Sequence, residues 1–254
     1  GNLISMNRNN GSSEGPTDDL RVKPDITGNG SGVISPVGGS SGYGNYSGTS
    51  MSGPNVMGSL LLVQQHYSNV NGSFMFGATL KGLALHTADE AGFAPGPDYR
   101  FGWGLMNTQR AAQVISQDGT ESMIITETLD ANDVYTYTFK ADGTQEISAT
   151  IAWTDPAANP LPGGNEDVAT PSLVNDLDLR ISQDGGVTFL PWVLDVATPT
   201  AGATNGDNVV DNVEKIEINP MTLSTGDYIV RVFHKGQLLV NDSQVFSLVI
   251  EGIS

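Results

Sequence analysis

Gly48-Thr49-Ser50-Met51-Ser52-Gly53-Pro54 leads straight into a run in which Val56, Leu60, Val63 and Tyr67 recur on one helical face. Pro54 suits the first turn of such a helix, where its missing N–H has no intrahelical partner to lose. The spacing predicts a helix with Ser50 at its amino end, facing unpaired backbone N–H groups and the positive end of the dipole. An oxyanion forming there would be stabilised, which is the main electrostatic need of acyl transfer. The same residues admit a plainer reading, in which Thr49 or Ser50 simply caps the helix. Met57, Leu61 and Leu62 make the middle apolar nearly all round, which predicts a helix covered on every side.

Working outward, a second helix is predicted from Phe76 to Thr87, carrying Leu80, Leu83 and Ala84, and a third from Thr108 to Ile115 after Gly102-Trp103-Gly104. Near residue 118 the period changes from helical to alternating, which divides the chain into 1–118 and 119–254. Ile147, Ala149 and Ile151 alternate with Ser148 and Thr150, and the same period appears in Val134–Phe139, Lys215–Ile218, Tyr228–Phe233 and Phe246–Ile250. Ser122–Leu129, Asp176–Ile181 and Thr188–Leu194 complete a set of short strands, and an all-β antiparallel, jelly-roll-like sandwich accommodates them. Two connections, Thr154–Val174 and Asp195–Asn212, are long enough to suggest a role of their own.

Composition narrows the function. With 28 acidic against 11 basic residues the net charge is −17, which excludes the basic patch that nucleic acid requires. There is no cysteine, hence no disulfide, no thiolate nucleophile and no cysteine-bound zinc. No apolar run approaches the ~20 residues of a membrane span.

The string Gly48-Thr49-Ser50-Met51-x-x-Pro54-x-Val56-x-Gly58 resembles the serine motif of the subtilases, the subtilisin-like serine proteases. Ser12-Ser13-Glu14-Gly15-Pro16-Thr17 and Arg21-Val22-Lys23-Pro24-Asp25-Ile26 are similar to the segment leading those enzymes from the wall of the substrate cleft to the serine helix. Gly102-Trp103-Gly104-Leu105-Met106-Asn107 resembles the end of the catalytic domain. Ala152-Trp153-Thr154-Asp155, Leu173 to Leu179, Asn212-Val213-Glu214 and Phe246 to Ile250 resemble bacterial alkaline subtilases with a C-terminal β-sandwich. The resemblance implies that 1–118 is the C-terminal part of an α/β catalytic domain, and that Ser50 attacks protein or peptide substrates to form an acyl-enzyme. It also implies a secreted or cell-surface bacterial enzyme that needs no cofactor for catalysis. Family order is Asp, then His, then Ser, yet residues 1–49 contain no histidine. Asp18, Asp19 and Asp25 fall in the cleft-wall segment. The expected partner is therefore the missing N-terminal part of the same catalytic domain, which would bring His, Asp and the oxyanion Asn; the chain alone is expected to be inactive. Asn55 stands where the family commonly has His, and Ser52-Gly53 replaces a frequent Ala-x pair.

His66, His86 and His234 are expected to be structural. In the sandwich, Asp176 and Asp178 project from one face, and two carboxylates so placed repel unless a cation or donor lies between them. Asp155, Asn175, Asp207, Asp211 and Glu214 lie in or beside the long connections, so a structural Ca²⁺ ion held by these seven residues is a further expectation. The alternative to a protease is a non-catalytic binding or scaffold module built on the sandwich, although Trp153 and Trp192 are isolated and form no aromatic platform.

Overall fold

A computed structural model describes residues 11–39, 41–159, 170–183, 186–238 and 242–254; the middle of the Thr154–Val174 connection lies outside them. The first half carries a hairpin, β1 (Val33–Pro36) with β2 (Tyr43–Tyr46), and three helices: α1 (Thr49–Asn71), α2 (Gly77–His86) and α3 (Thr108–Ser116). The second half carries β3 (Ser122–Asp130), β4 (Tyr135–Ala141), β5 (Ile147–Trp153), β6 (Asp176–Gln183), β7 (Thr188–Phe189), β8 (Trp192–Val193), β9 (Thr204–Asn205), β10 (Val213–Ile218), β11 (Gly226–Lys235) and β12 (Ser243–Glu251).

Two antiparallel sheets, ordered β10-β5-β12-β3 and β4-β11-β6-β7, face each other. Alternation decides what lies between them: Ile147, Ala149, Ile151 and Trp153 meet Leu177, Leu179, Ile181, Val230 and Val232 in one core. Register is consistent across the layers, with Leu248 opposite both Ile151 and Ile125, and Val230 opposite both Tyr137 and Ile181. The predicted strand Thr188–Leu194 is interrupted. Pro191 offers no N–H to a ladder, so β7 stays with β6 while β8 pairs with β9.

The outer face of the first sheet is covered as well. All seven residues of β5 are buried, because α2 lies across Ser148, Thr150 and Ala152. A Cβ on Gly82 would stand 3.1 Å from the Ala152 Cβ, so the missing side chain sets how closely helix and sheet approach. Val63, Leu83, Ala111, Val114, Ile115 and Val249 form a second core that joins the three helices to β12.

One expectation fails. Val63 is buried and Tyr67 and Leu80 pack against the same core, but Met57, Leu61 and Leu62 on the far flank of α1 are 61%, 64% and 62% exposed. Among the described residues of the first half no parallel sheet lies against that flank; the parallel pairing Thr27–Leu105 is an isolated bridge.

Gly82→Val should push α2 away from β5 and lower stability by about 1–3 kcal/mol, the usual range for overpacking a filled contact. Urea titration would read this as a lower midpoint with an unchanged slope.

Candidate functional site

Gly48 begins the site. Its φ of 148° lies where side-chain-bearing residues rarely go, and it caps α1 without any side-chain hydrogen bond. Thr49 and Ser50 are therefore the first helical residues rather than its caps. The Gly48 carbonyl accepts from the amides of Met51 (3.0 Å) and Ser52 (3.2 Å). The amide and the hydroxyl of Ser50 have no hydrogen-bond partner among the described residues, and the side chain is exposed. A free donor thus sits beside a free hydroxyl at the positive end of a 23-residue helix.

Residues 28–32 run beside this turn. The Gly48 amide donates to the Gly30 carbonyl (2.8 Å), the Ser52 hydroxyl to the Gly28 carbonyl (2.8 Å), and the Gly32 amide to the Ser47 hydroxyl (2.9 Å). Beside the paired segments opens a cleft of about 510 Å³, bordered by Ser12, Ile26, Asn29, Thr49 and Phe101; Ser50 is next to its lining residue Thr49 but does not itself line it.

None of the three histidines serves Ser50. His66 lies about four turns along α1 and its Nε2 bonds the Ser116 hydroxyl at 2.9 Å. His234 Nε2 accepts from the Asn132 amide at 2.9 Å. His86 is wholly enclosed between α2 and the sheet. Its Nδ1 lies 2.8 Å from the Thr150 hydroxyl and its Nε2 3.1 Å from Glu251 Oε2, which also accepts from Arg110 Nη2 at 2.6 Å. Burial pushes the His86 pKa down, against the pull of Glu251. A neutral imidazole can accept from Thr150 at Nδ1, while Nε2 stands close to Glu251 without a well-aligned hydrogen bond. Burial alone would raise the Glu251 carboxyl, but His86 and Arg110 outweigh it and hold the pKa at about 2. Sequence reasoning missed this hydroxyl–imidazole–carboxylate set; its only trace is that Thr150 falls on the strand face opposite Ile151.

The seven candidate metal ligands separate into three places. Asp155 accepts from the amides of Val174 (2.7 Å) and Asn175 (2.9 Å), while the Asn175 side chain donates to Gln244 Oε1 (2.7 Å). Asp211 accepts from the Val22 amide (2.9 Å) and so ties the sandwich to the first half. Asp176, Asp178, Asp207 and Glu214 gather around two cations. Arg180 Nη2 lies 2.8 Å from Asp178 and 2.5 Å from Asp207, and Lys235 Nζ lies 2.9 Å and 2.8 Å from the same two. Burial raises the Asp178 carboxyl to about 6, whereas the bonds from Lys235, Asp178 and Arg180 bring Asp207 to about 2 in spite of its own partial burial. Glu214 accepts from the Leu179 amide (2.6 Å) and burial pushes it well above the usual carboxylate range. Arg180 and Lys235 thus supply the positive charge these carboxylates need. No group of three or more metal-ligating side chains among the described residues encloses an ion. Asp176 Oδ1, Asp178 Oδ2 and Glu214 Oε1 are nevertheless buried without a partner.

An exposed serine whose amide has no partner among the described residues, at the head of a long helix beside a cleft, has the access that a nucleophile needs. Residues 4–104 match the Subtilase family (Peptidase_S8). Over 93% of its length the chain is 28% identical to the serine protease/ABC transporter B family protein tagA of Dictyostelium discoideum. It is 43% identical over 74 residues to the PII-type proteinase of Lactococcus lactis subsp. cremoris. The chain spans 15% of the length of the first protein, and the match covers 4% of the second. The solved structure of a serine protease of Aeromonas sobria covers 84% of this chain, and 46% of its own, at 11% identity and a TM-score of 0.27. Residues 4–104 are thus a subtilase-like segment of the chain. No helix among the described residues is long and apolar enough to cross a membrane.

The buried set fixes the sign of the acid response. Glu251 titrates at about 2 rather than its ordinary 4.5, so its stabilisation is complete above the ordinary value and is lost as pH falls towards 2. His86, lowered from 6.5, likewise contributes fully above that pH and less below it. Glu251→Gln should therefore melt at a lower temperature than the wild type at pH 7, with the gap closing as pH falls below about 4. Parallel melting curves for the two proteins from pH 7 to 3 would remove Glu251 from this account.

Proposed function

We propose that the chain is the serine-bearing portion of a subtilisin-like serine endopeptidase, with Ser50 as nucleophile. The observation that carries the reading is the exposed Ser50 hydroxyl beside its own free amide at the start of α1. Attack by Ser50 Oγ on a peptide carbonyl would form the acyl-enzyme, and the Ser50 amide would donate to the developing oxyanion. The hydroxyl proton needs a base, and Ser50 has no such partner among the described residues. That base, its orienting carboxylate and a side-chain oxyanion donor would come from a further segment of the same catalytic domain.

The uncovered flank of α1 supports this reading. Met57, Leu61 and Leu62 form an apolar surface on a helix that carries no Asp, Glu, Lys or Arg, as expected if an apolar sheet of an α/β domain lies against it. The two packed antiparallel sheets would then be the jelly-roll-like domain appended to the protease. Substrates would be proteins or peptides, and the enzyme secreted or displayed at a bacterial cell surface.

Labelling with a fluorophosphonate tests the reading. A longer polypeptide that supplies the remaining catalytic residues should label at Ser50, and its Ser50→Ala variant should not. The present chain should stay unlabelled, because a serine hydroxyl without a base is a weak nucleophile; labelling of the chain by itself would place the base within it.

A further inference from the structure

We infer that Ser52 is a positioning residue for Ser50, an assignment that rests on reading Ser50 as the nucleophile. Two tethers bracket Ser50: the Gly48 amide bonds the Gly30 carbonyl two residues before it, and the Ser52 hydroxyl bonds the Gly28 carbonyl two residues after it, each at 2.8 Å. Both acceptors belong to the segment that borders the cleft.

The fit between the segments is close. A Cβ on Gly30 would come within 2.7 Å of the Gly48 carbonyl oxygen and 2.9 Å of the Ser52 Cβ, and one on Gly28 within 2.5 Å of a Val56 methyl. A third bond, from the Gly32 amide to the Ser47 hydroxyl at 2.9 Å, lies one residue further from Ser50. The first turn of a helix is its weakest, since its leading N–H groups lack intrahelical acceptors, and Gly48 provides no side-chain cap. Gly53, which follows Ser52, meets nothing within 4 Å of where a Cβ would be, so the side-chain contact beside the Ser52 bond is the one between Val56 and Gly28. In this chain the donor at position 52 joins the helix that carries the nucleophile to the wall along which substrate would lie.

Hydrogen exchange on the chain as it stands provides the test, with the Gly48 amide as reporter because its acceptor is Gly30. Ser52→Ala should raise Gly48 exchange about fivefold, the scale of one neutral hydrogen bond, and leave the amides from Leu60 to Tyr67 and those of α2 unchanged. Ser52→Thr, which keeps a hydroxyl, should restore the wild-type rate. Unchanged exchange at Gly48, or an equal rise along all of α1, would overturn the assignment, the second outcome marking a residue that only stabilises the helix. In an active protease containing this segment, Ser52→Ala should lower kcat about fivefold at constant KM, for the same reason. Undiminished hydrolysis by Ser50→Ala would refute the nucleophile instead, and the exchange result would still report whether Ser52 holds the turn.

Discussion

The structure depends on a strand with no wet face. Antiparallel sheets commonly keep one side in solvent, but β5 turns Ile147, Ala149, Ile151 and Trp153 into the sandwich and Ser148, Thr150 and Ala152 under α2. Burying that second side is offset only in part by its hydroxyls: Thr150 pairs with His86 at 2.8 Å, and on neighbouring β12 Ser247 with Thr79 at 2.7 Å, while the Ser148 hydroxyl is buried without a partner among the described residues. Each such bond contributes only about 1 kcal/mol net, but an unpaired hydroxyl in the same place would cost more. Val249, between these polar positions, enters the core that also holds Val63 of α1. The helix that presents Ser50 is therefore seated on the sandwich through this sheet, and a disturbance of α2 against β5 would reach the site through Val63 and Leu83.

Charge is distributed with the same economy. In a chain of net −17 several of the cations are committed to inward-facing carboxylates rather than to the open surface. Arg110 is committed to Glu251, Lys215 to Glu217, Lys81 to Asp25, and Arg180 with Lys235 to the carboxylates at the edge of β6. Several of these pairs are partly or wholly buried, where removing one partner costs far more than the pair contributes. Against this acidic background α1 stands out as uncharged along its whole length. A helix of that kind, apolar on both flanks, fits an interior position, and only one of its flanks is covered here.

How much of this the residues disclose depends on whether the deciding partner lies nearby in sequence. Thr108–Ser116 and the strands around Ile147, Tyr228 and Phe246 are legible because periodicity is local and their partners share it. The stripe Val56, Leu60, Val63, Tyr67 correctly marks the seated side of α1. Met57, Leu61 and Leu62 are equally apolar, and nothing in the string tells a covered flank from an uncovered one. Thr188–Leu194 reads as one strand until Pro191 is weighed as a missing donor. The acidic residues were harder. Their spacing reveals that Asp176 and Asp178 share a face, but Arg180 and Lys235 reach them from the same strand and from its neighbour β11, so the neutralising charge is visible only in three dimensions. The serine motif was the most legible feature of the chain, since a helix start is specified by a few contiguous residues; the Gly28–Ser52 bond beneath it joins residues 24 apart and leaves no local trace.

Two hydroxyls in this chain illustrate what acyl transfer requires. Thr150 has an imidazole at 2.8 Å and, beyond it, a carboxylate 3.1 Å from the far nitrogen, which is the order of groups that activates a nucleophile. It lies under α2 with no exposure, so no substrate can approach, and the set serves only to lock helix to sheet. Ser50 has the opposite endowment: solvent access, the end of a helix dipole and a cleft beside it, but among the described residues no base. Activation of a hydroxyl and access to it are separate properties, and a constellation counts as catalytic only where both meet. On that criterion the buried trio is architecture despite its geometry. Ser50 is the better candidate despite its missing partner, because a base can be brought to an open hydroxyl by another segment, whereas nothing can be brought to a buried one.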